Sequence, residues 1–269
     1  MNDEQFRQLL TFFELSWSGF RKVRKGVKKR VARHMQSLDC RRMEDYIQIL
    51  RDSPDSRVQC ERLMSVSISR FFRDRQFWLF LEQSILPGLL QRKPCNIRIW
   101  SAGCAFGEEV YSFKIIWERL RSRIDRLPDA HVLATDRIPE YIARAQIGVY
   151  TASSVKNVPE DLLQVFFHKL PGRKGYQVRH IIKSGIIWKV HHLLTAPPGS
   201  NFTLIFLRNN LLTYYRDELK INALKNILSC LSPGGFLVIG AHEALPVDPP
   251  DLLPVAPLPF VYQKQVPVQ

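Results

Sequence analysis

The sequence is poor in the residue patterns that build metal and disulfide sites. Its five cysteines are widely spaced and include no C-x-x-C pair, and its seven histidines include no H-E-x-x-H. These absences exclude a zinc-finger framework and a zincin-type enzyme, so we expect no metal site. Scattered single cysteines are typical of reduced thiols, which favours a cytoplasmic protein.

Long hydrophobic runs are also lacking. No stretch approaches the roughly 18 apolar residues that a membrane-spanning helix needs. The first ten residues carry Asp3, Glu4 and Arg7 where a signal peptide has an apolar core. We therefore expect a chain that is not membrane-embedded and carries no signal peptide.

Acidic residues are outnumbered. There are 25 Asp and Glu against 39 Lys and Arg, which gives a formal net charge of +14. An excess of this size favours an acidic partner, such as nucleic acid, a membrane surface or an acidic protein face. Eight cations and no acid lie between residues 21 and 33, namely Arg21, Lys22, Arg24, Lys25, Lys28, Lys29, Arg30 and Arg33. A solvated charged face is the alternative interpretation of this local run.

The periodicity changes along the chain. Up to about residue 85 the pattern is helical, with one apolar stripe formed by Phe20, Val23, Val27, Val31 and Met35. A second helical run covers 43–51, and 52–55 is predicted to be a turn. We expect an all-α domain over 1–75 and a second domain over 76–269.

Strand and helix patterns alternate in the second domain, which predicts an α/β fold with a parallel sheet. The predicted strands are 96–100, 131–135, 202–207, 236–239 and 260–263, and the predicted helices are 109–123 and 217–230. The alternation breaks between 151 and 194. There, 175–179 and 186–190 are predicted to form a small antiparallel β insert.

The loop after the first strand is the strongest candidate for a ligand site. Ligands of open α/β sheets bind where strands end, and Gly103 and Gly107 allow close backbone approach. The spacing is neither G-x-G-x-x-G nor a P-loop. Glu108 and Glu109 at the helix start disfavour a phosphate and favour a cationic ligand. A glycine-rich turn with an acidic helix cap is the alternative.

Polar residues follow two other strands. Asp136 ends the second strand, where an acid is placed to bind ribose hydroxyls. A helix N-cap is the alternative interpretation, and it is the commoner one for a lone Asp. Arg208, Asn209 and Asn210 follow 202–207, with Tyr214 close behind. These groups either satisfy a loop or line a site.

Five segments in order resemble one family, the CheR-type methyltransferases, which use S-adenosylmethionine to methylate glutamates of chemotaxis receptors. The matching segments are S-R-F-F-R-D (69–74), S-A-G-C-A-F-G-E-E-V-Y-S (101–112), A-T-D (134–136), R-N-N-L-L-T-Y-Y (208–215) and L-S-P-G-G-F-L-V-I-G (231–240) with Glu243 behind it. The resemblance covers residues 19 to 264, almost the whole chain.

The resemblance implies a class I methyltransferase (Rossmann-like) sheet with helices on both faces, the β insert at about 151–194 and the N-terminal all-α domain. It implies a protein-glutamate O-methyltransferase with S-adenosyl-L-methionine as cofactor and S-adenosyl-L-homocysteine as product. The partner would be the acidic helical region of a chemoreceptor-type protein, met by the basic N-terminal domain. We expect no stable complex with nucleic acid and a monomeric protein.

Roles follow residue by residue from the resemblance. Arg73 and Tyr214 would be catalytic, with Tyr214 facing the methyl group and Asp136 at the ribose. The full cofactor-binding set would be Ser67, Ser69, Arg73, Gly103, Glu108, Asp136, His192, Leu193, Arg208, Asn209 and Asn210.

The sequence also departs from the family pattern. The segment Ser67–Ile68–Ser69 lacks the family's amide, His192 replaces an Asn, and Thr203 stands where Asp is usual. Counting forward from Phe202 aligns Arg208-Asn209 with the family's R-N, whereas counting backward from Pro233 aligns Asn209-Asn210 with it. The departures at Ser67, His192 and Thr203 leave open a degenerate relative that only binds. The net charge of +14 leaves open a methyltransferase acting on another acceptor, such as nucleic acid or a small molecule.

Overall fold

The structure is a computed structural model that describes residues 1–66, 69–92, 95–172 and 175–267. The helices are α1 (Asp3–Phe12), α2 (Arg24–Ser37), α3 (Met43–Asp52), α4 (Pro54–Met64), α5 (Arg75–Phe80), α6 (Leu86–Gln91), α7 (Glu108–Arg121), α8 (Pro139–Ile147), α9 (Ala152–Val155), α10 (Glu160–Phe166), α11 (Leu211–Tyr214) and α12 (Asp217–Ser229). The strands are β1 (Asn96–Ala102), β2 (Asp129–Asp136), β3 (Val149–Thr151), β4 (Phe167–Lys169), β5 (Gly175–Val178), β6 (Ile186–Val190), β7 (Phe202–Leu207), β8 (Leu231–Ile239), β9 (Leu252–Val255) and β10 (Leu258–Lys264).

The chain divides into two compact units. The first comprises Met1–Ser67 with Asn210–Lys220, and the second comprises Ile68–Asn209 with Ile221–Gln269. Sequence analysis did not foresee that 210–220 groups with the N-terminal helices. The predicted domain boundary at residue 75 stays a prediction.

The first unit is helical and has its own apolar core. Val27, Val31 and Met35 of α2 are buried there, which confirms the predicted stripe from residue 27 onward. The helix begins only at Arg24, because Phe20 lies in a separate 3-10 turn, Ser18–Phe20. The predicted turn at 52–55 is reduced to Ser53, since α4 starts at Pro54, a residue well suited to the first helical position.

Segment 210–220 is joined to the N-terminal helices inside the first unit. Leu15 forms an antiparallel bridge with Tyr215, and the Ser16 N–H donates to the Tyr214 carbonyl at 2.7 Å. The Phe20 ring meets the Tyr214 ring edge-on with centroids 5.1 Å apart. At Gly19 the contact is so close that an added Cβ would clash with the Thr213 carbonyl oxygen.

We expect Gly19→Ala to destabilise the protein by about 1 to 3 kcal/mol, because the methyl group can be accommodated only by moving α11. Gly26→Ala is the matched control: its Cβ would meet only the Arg30 side chain at 3.7 Å, on an exposed face of α2. Alanine there should stabilise the helix by about 0.5 to 1 kcal/mol. Urea denaturation of both variants measures the contrast, and equal effects would contradict the close approach.

The second unit is built on a mixed sheet flanked by helices. Seven strands pair in the order β6-β2-β1-β7-β8-β10-β9 among the described residues. The first five are mutually parallel, and β10 is antiparallel to both of its neighbours. A separate three-stranded antiparallel sheet has the order β3-β5-β4. The predicted class I methyltransferase architecture with a small antiparallel sheet and an N-terminal helical region is confirmed.

One strand assignment is wrong. Residues 186–190 do not belong to the antiparallel insert, because β6 pairs in parallel with β2 at the edge of the large sheet. The side chains of β6 alternate between half-buried and exposed over its first four residues. Such a pattern is found both in edge strands and in short hairpin strands, so it does not identify the sheet to which the strand belongs. The sequence at 232–235, Ser-Pro-Gly-Gly, is typical of a turn, but these residues are part of β8, within which the pairing with β7 shifts register.

No described helix has both the length and the apolar character needed to cross a bilayer.

Candidate functional site

The parallel strands of the second unit end at one edge of the sheet. The chain leaves β1, adds β2 and β6 on one side, and then returns to add β7 and β8 on the other. The strand order therefore reverses between β1 and β7, and such a switch point is where α/β sheets bind ligands. Four sequence-predicted residues lie at or just after the carboxyl ends of these strands: Gly103, Asp136, His192 and Arg208.

The loop from β1 to α7 has an unusual backbone. Gly103 and Gly107 have φ values of 89° and 87°, in the left-handed region that favours glycine. A Cβ at Gly107 would lie 2.9 Å from the Trp188 ring and 3.0 Å from Ala145 Cβ. The Gly103 N–H donates to the Thr135 carbonyl at 2.8 Å, which fixes the loop against the end of β2.

Asp136 receives hydrogen bonds from this loop. Its Oδ2 accepts from the Ala105 N–H and its Oδ1 accepts from the Ile138 N–H, both at 3.0 Å. Asp136 is not the N-cap of α8, since Ile138 holds that position. Burial raises the pKa of the Asp136 carboxyl, while these backbone N–H groups lower it. A carboxylate has about four acceptor sites, so the backbone N–H groups of Ala105, Arg137 and Ile138 leave acceptor capacity for a ligand hydroxyl.

Glu108 is the most unusual acid of the site. It is the first residue of α7, and only 2% of it is exposed. The Ser69 and Ser154 hydroxyls hydrogen-bond its side chain, yet its Oε2 is buried with no hydrogen-bond partner among the described residues. Burial raises the pKa of this carboxyl, and nearby Arg144 opposes that shift. A buried, unsatisfied carboxylate oxygen is costly unless a ligand completes it.

Arg208 directly follows β7 and is surrounded by acids. Its Nη2 pairs with Asp74 Oδ2, and its Nη1 pairs with Glu109 Oε2 at 3.2 Å. Glu109 also accepts a hydrogen bond from the Ser101 hydroxyl at 2.8 Å. The Arg208 guanidinium lies 5.0 Å from the centre of the Phe77 ring, within the range of a cation–π contact.

Arg73 lies in a strained segment of the second unit. Its neighbours Phe72 and Asp74 have φ values of 50° and 62°, which are uncommon for residues with a side chain. Its carbonyl accepts from the Trp78 indole N–H at 2.7 Å. Its Nη2 donates to Asn209 Oδ1 at 3.3 Å.

His192 and Leu193 follow the edge strand β6. The adjacent His191 N–H donates to the Asp136 carbonyl at 2.9 Å, so this loop begins beside the end of β2. His192 Nδ1 accepts from the Leu194 N–H at 3.2 Å, and both His192 and Leu193 are half-buried.

Three predicted site residues are not among the described residues of the second unit. Ser67 lies outside the described residues. Asn210 and Tyr214 group with the first unit, where Asn210 caps α11 and its side chain accepts from the Leu211 N–H. Their roles stay predictions.

Sequence reasoning missed Ser154 and Arg144 as neighbours of Glu108. Neither lies in a segment that carried a recognisable motif. It also missed that Glu109 is the partner of Arg208, because the two residues lie far apart in the sequence. No local sequence pattern predicts such a pair.

The residues present fit a cationic nucleoside ligand. Glu108 offers an unsatisfied anionic oxygen to an ammonium or sulfonium group. Asp136 offers acceptor capacity to ribose hydroxyls, and the acids around this edge disfavour a phosphate. S-adenosylmethionine combines an ammonium, a sulfonium and a ribose without a phosphate.

Comparison with known proteins also indicates a protein that binds S-adenosylmethionine. The family described as "CheR methyltransferase, SAM binding domain" matches residues 67–259. A chemotaxis protein methyltransferase of Listeria innocua is 36% identical over 191 residues, covering 70% of this chain and 69% of that protein. Chemotaxis protein methyltransferase 1 of Pseudomonas aeruginosa is 32% identical, covering 68% of each chain.

An uncharacterised 104.1 kDa protein of Rhodobacter capsulatus is 29% identical over 81% of this chain, which spans only 23% of that protein's length. Among solved structures, the N-methyltransferase NodS of Bradyrhizobium japonicum, in complex with S-adenosyl-L-homocysteine, has a TM-score of 0.35 at 19% identity. It covers 64% of this chain and 63% of that one. From the family match, the chain belongs to the CheR methyltransferase family and uses S-adenosylmethionine as its cofactor.

Proposed function

We propose that this chain is a protein-glutamate O-methyltransferase that forms methyl esters on glutamate side chains of chemotaxis-type receptors. The observation that carries the proposal is Glu108, whose buried Oε2 has no partner among the described residues, at the sheet edge that Asp136 shares. The names of the Listeria and Pseudomonas relatives support chemotaxis as the pathway.

In this proposal the acids of the second unit hold the cofactor. Glu108 takes the ammonium group, and Asp136 takes the ribose hydroxyls. His192 and Leu193 flank the adenine, and Arg208 and Asn209 line the site beside the methionine end. Ser67, Ser69 and Arg73 close over the cofactor. When bound, S-adenosylmethionine supplies an electrophilic methyl group on a positively charged sulfur.

The acceptor needs no general base. A glutamate carboxylate is already ionised at neutral pH, so the enzyme has to orient it, remove its water and leave it facing the methyl group. Arg73 and Tyr214 are the residues that we assign to this task. The planar guanidinium of Arg73 suits a carboxylate group, because its N–H donors match the two carboxylate oxygens.

The basic segment 21–33, which includes the start of α2, fits an acidic partner. Five of its eight cations are exposed: Arg21, Lys22, Lys25, Lys29 and Arg33. The others are engaged within the first unit, where Lys28 pairs with Asp3, Arg24 stacks on Trp17 and Arg30 donates to the Leu63 carbonyl. We propose that the N-terminal domain, residues 1–75, meets the acidic helical region of the receptor through these exposed cations, since such charges speed encounter with an acidic surface.

A methyl-transfer assay tests the function. The full chain, labelled S-adenosylmethionine and a chemoreceptor cytoplasmic fragment should give a protein mark that mild base releases as methanol. A fragment whose acceptor glutamates are changed to alanine is the control and should stay unlabelled. A base-stable mark, or labelling of tRNA in place of the fragment, would favour the alternative acceptor suggested by the net charge of +14. Binding of the cofactor without any transfer would favour a degenerate binding module.

A further inference from the structure

One carboxylate oxygen joins two strand-end loops of the second unit. Glu243 Oε2 accepts from the Asn209 N–H at 2.8 Å and from the Gly240 N–H at 2.7 Å. Asn209 lies just after β7 and Gly240 just after β8, and these two strands are parallel neighbours. Glu243 thus connects the loops after β7 and β8 at the carboxyl edge of the sheet, next to the switch point.

Asn209 is held in an uncommon backbone conformation. Its φ is 56°, in the left-handed region, which Asn tolerates better than most residues but which still costs energy. In this conformation its Oδ1 accepts from Arg73 Nη2. The hydrogen bond from the Asn209 N–H to Glu243 therefore stabilises the backbone geometry that presents the amide to Arg73.

Little free space remains between Asn209, Gly240 and Glu243. A Cβ added at Gly240 would lie 2.7 Å from Glu243 Oε2 and 2.9 Å from Asn209 Oδ1. Position 240 therefore has no room for a side chain unless the carboxylate or the amide moves. The three groups form a single packed junction with Asn209 at its centre.

We propose that Glu243 is a positioning residue for methyl transfer: it fixes Asn209 so that the Asn209 amide orients the Arg73 guanidinium. The inference rests on the proposed function only in taking Arg73 as the group that acts on the reactants. Glu243 itself touches neither cofactor nor acceptor in this account.

The first test compares Glu243→Ala, Glu243→Gln and the control Asp248→Ala. Asp248 is an exposed acid on the same β8–β9 loop. We expect Glu243→Ala to lower kcat about tenfold or more, the effect of losing a hydrogen bond to a charged group, with little change in KM for the receptor fragment. Glu243→Gln keeps an acceptor oxygen and should recover most of kcat, and Asp248→Ala should match the wild type.

Coupling to Arg73 separates positioning from a general loss of structure. In a double-mutant cycle, Glu243→Ala should have little further effect on kcat once Arg73 is replaced by alanine. Additive effects, or a wild-type kcat in Glu243→Ala, would overturn the proposal. If Glu243→Ala does not fold, Gly240→Ala tests the same junction, because its methyl group must displace either the Glu243 carboxylate or the Asn209 amide.

A readout independent of activity keeps this inference distinct from the proposed function. The NMR signal of the Arg73 side-chain Nε–H, assigned by its loss in Arg73→Lys, should shift in Glu243→Ala and stay in place in Asp248→Ala. If the wild type transfers no methyl group to receptors, the proposed function fails while this shift still supports the Glu243 junction. An unshifted Arg73 signal overturns the junction whatever the acceptor.

Discussion

Replacing Arg208 with alanine is expected to lower the free energy of unfolding by about 3 to 5 kcal/mol, the usual cost of removing one partner from a buried ion pair. The change leaves Asp74 and Glu109 without their shared cation. Burial already raises the pKa of the Glu109 carboxyl, and Arg208 is the main group that opposes the shift. Urea denaturation measures the loss.

The pH dependence of this variant has a definite sign. Without Arg208, the pKa of Glu109 in the folded state rises further above its unfolded value. A raised carboxyl pKa makes stability fall as pH increases from the unfolded to the folded pKa, because the folded state binds more protons over that window. The deficit relative to wild type should therefore be smaller at mildly acidic pH than at pH 8.

Two variants control the Arg208 experiment. Arg123→Ala removes a cation whose side chain is 59% exposed and should change stability by less than about 0.5 kcal/mol. Adding Glu109→Gln to Arg208→Ala should recover part of the loss, because it removes the unpaired buried charge. If Arg208→Ala alone is as stable as Arg123→Ala, the two ion pairs of Arg208 contribute nothing to stability.

Glu108→Gln is expected to weaken binding of S-adenosylmethionine by about 30-fold or more while leaving the apo protein equally or more stable. The first effect is the loss of the anionic partner of the ammonium group, worth about 2 kcal/mol or more. The second follows because the buried carboxylate has an oxygen without a partner among the described residues, so its charge is a cost in the free protein. Calorimetry and thermal unfolding measure the two effects separately.

The neighbouring acid is the matched control. Glu109→Gln should destabilise the protein, because Arg208 and Ser101 lose a charged partner, and it should change cofactor affinity much less. Cofactor affinity of the wild type should also fall as pH drops through the raised pKa of Glu108, where protonation removes its charge. Wild-type affinity in Glu108→Gln would remove Glu108 from the cofactor site.

Local segments of the fold were predictable, and long-range pairings were not. Residues 202–207 form β7 at the predicted bounds, and the predicted helix 109–123 is α7, Glu108–Arg121. The strand at 186–190 was assigned to the wrong sheet, because the parallel pairing of β6 with β2 joins Ile186 to Val132 across a long chain separation. Hydrophobic periodicity predicts a strand but not its partner.

The same limit applies to the candidate site. Its strand–loop–helix motifs around Gly103, Glu108 and Asp136 could be read directly, because glycine at a positive φ and an acid at a strand end have local causes. The unsatisfied oxygen of Glu108 could not be predicted from the sequence, because its surroundings depend on Ser69 and Ser154, which approach the carboxylate only in the folded chain.

The α/β class, the family resemblance and the cationic character of the ligand could be predicted from the amino-acid sequence, because they follow from short motifs and charge. Three features became visible only in the folded chain: Arg208 is shared between Asp74 and Glu109, Glu243 joins the ends of β7 and β8, and 210–220 belongs with the N-terminal helices. Contacts between residues so far apart in the chain arise from how the elements pack, and no local pattern encodes them.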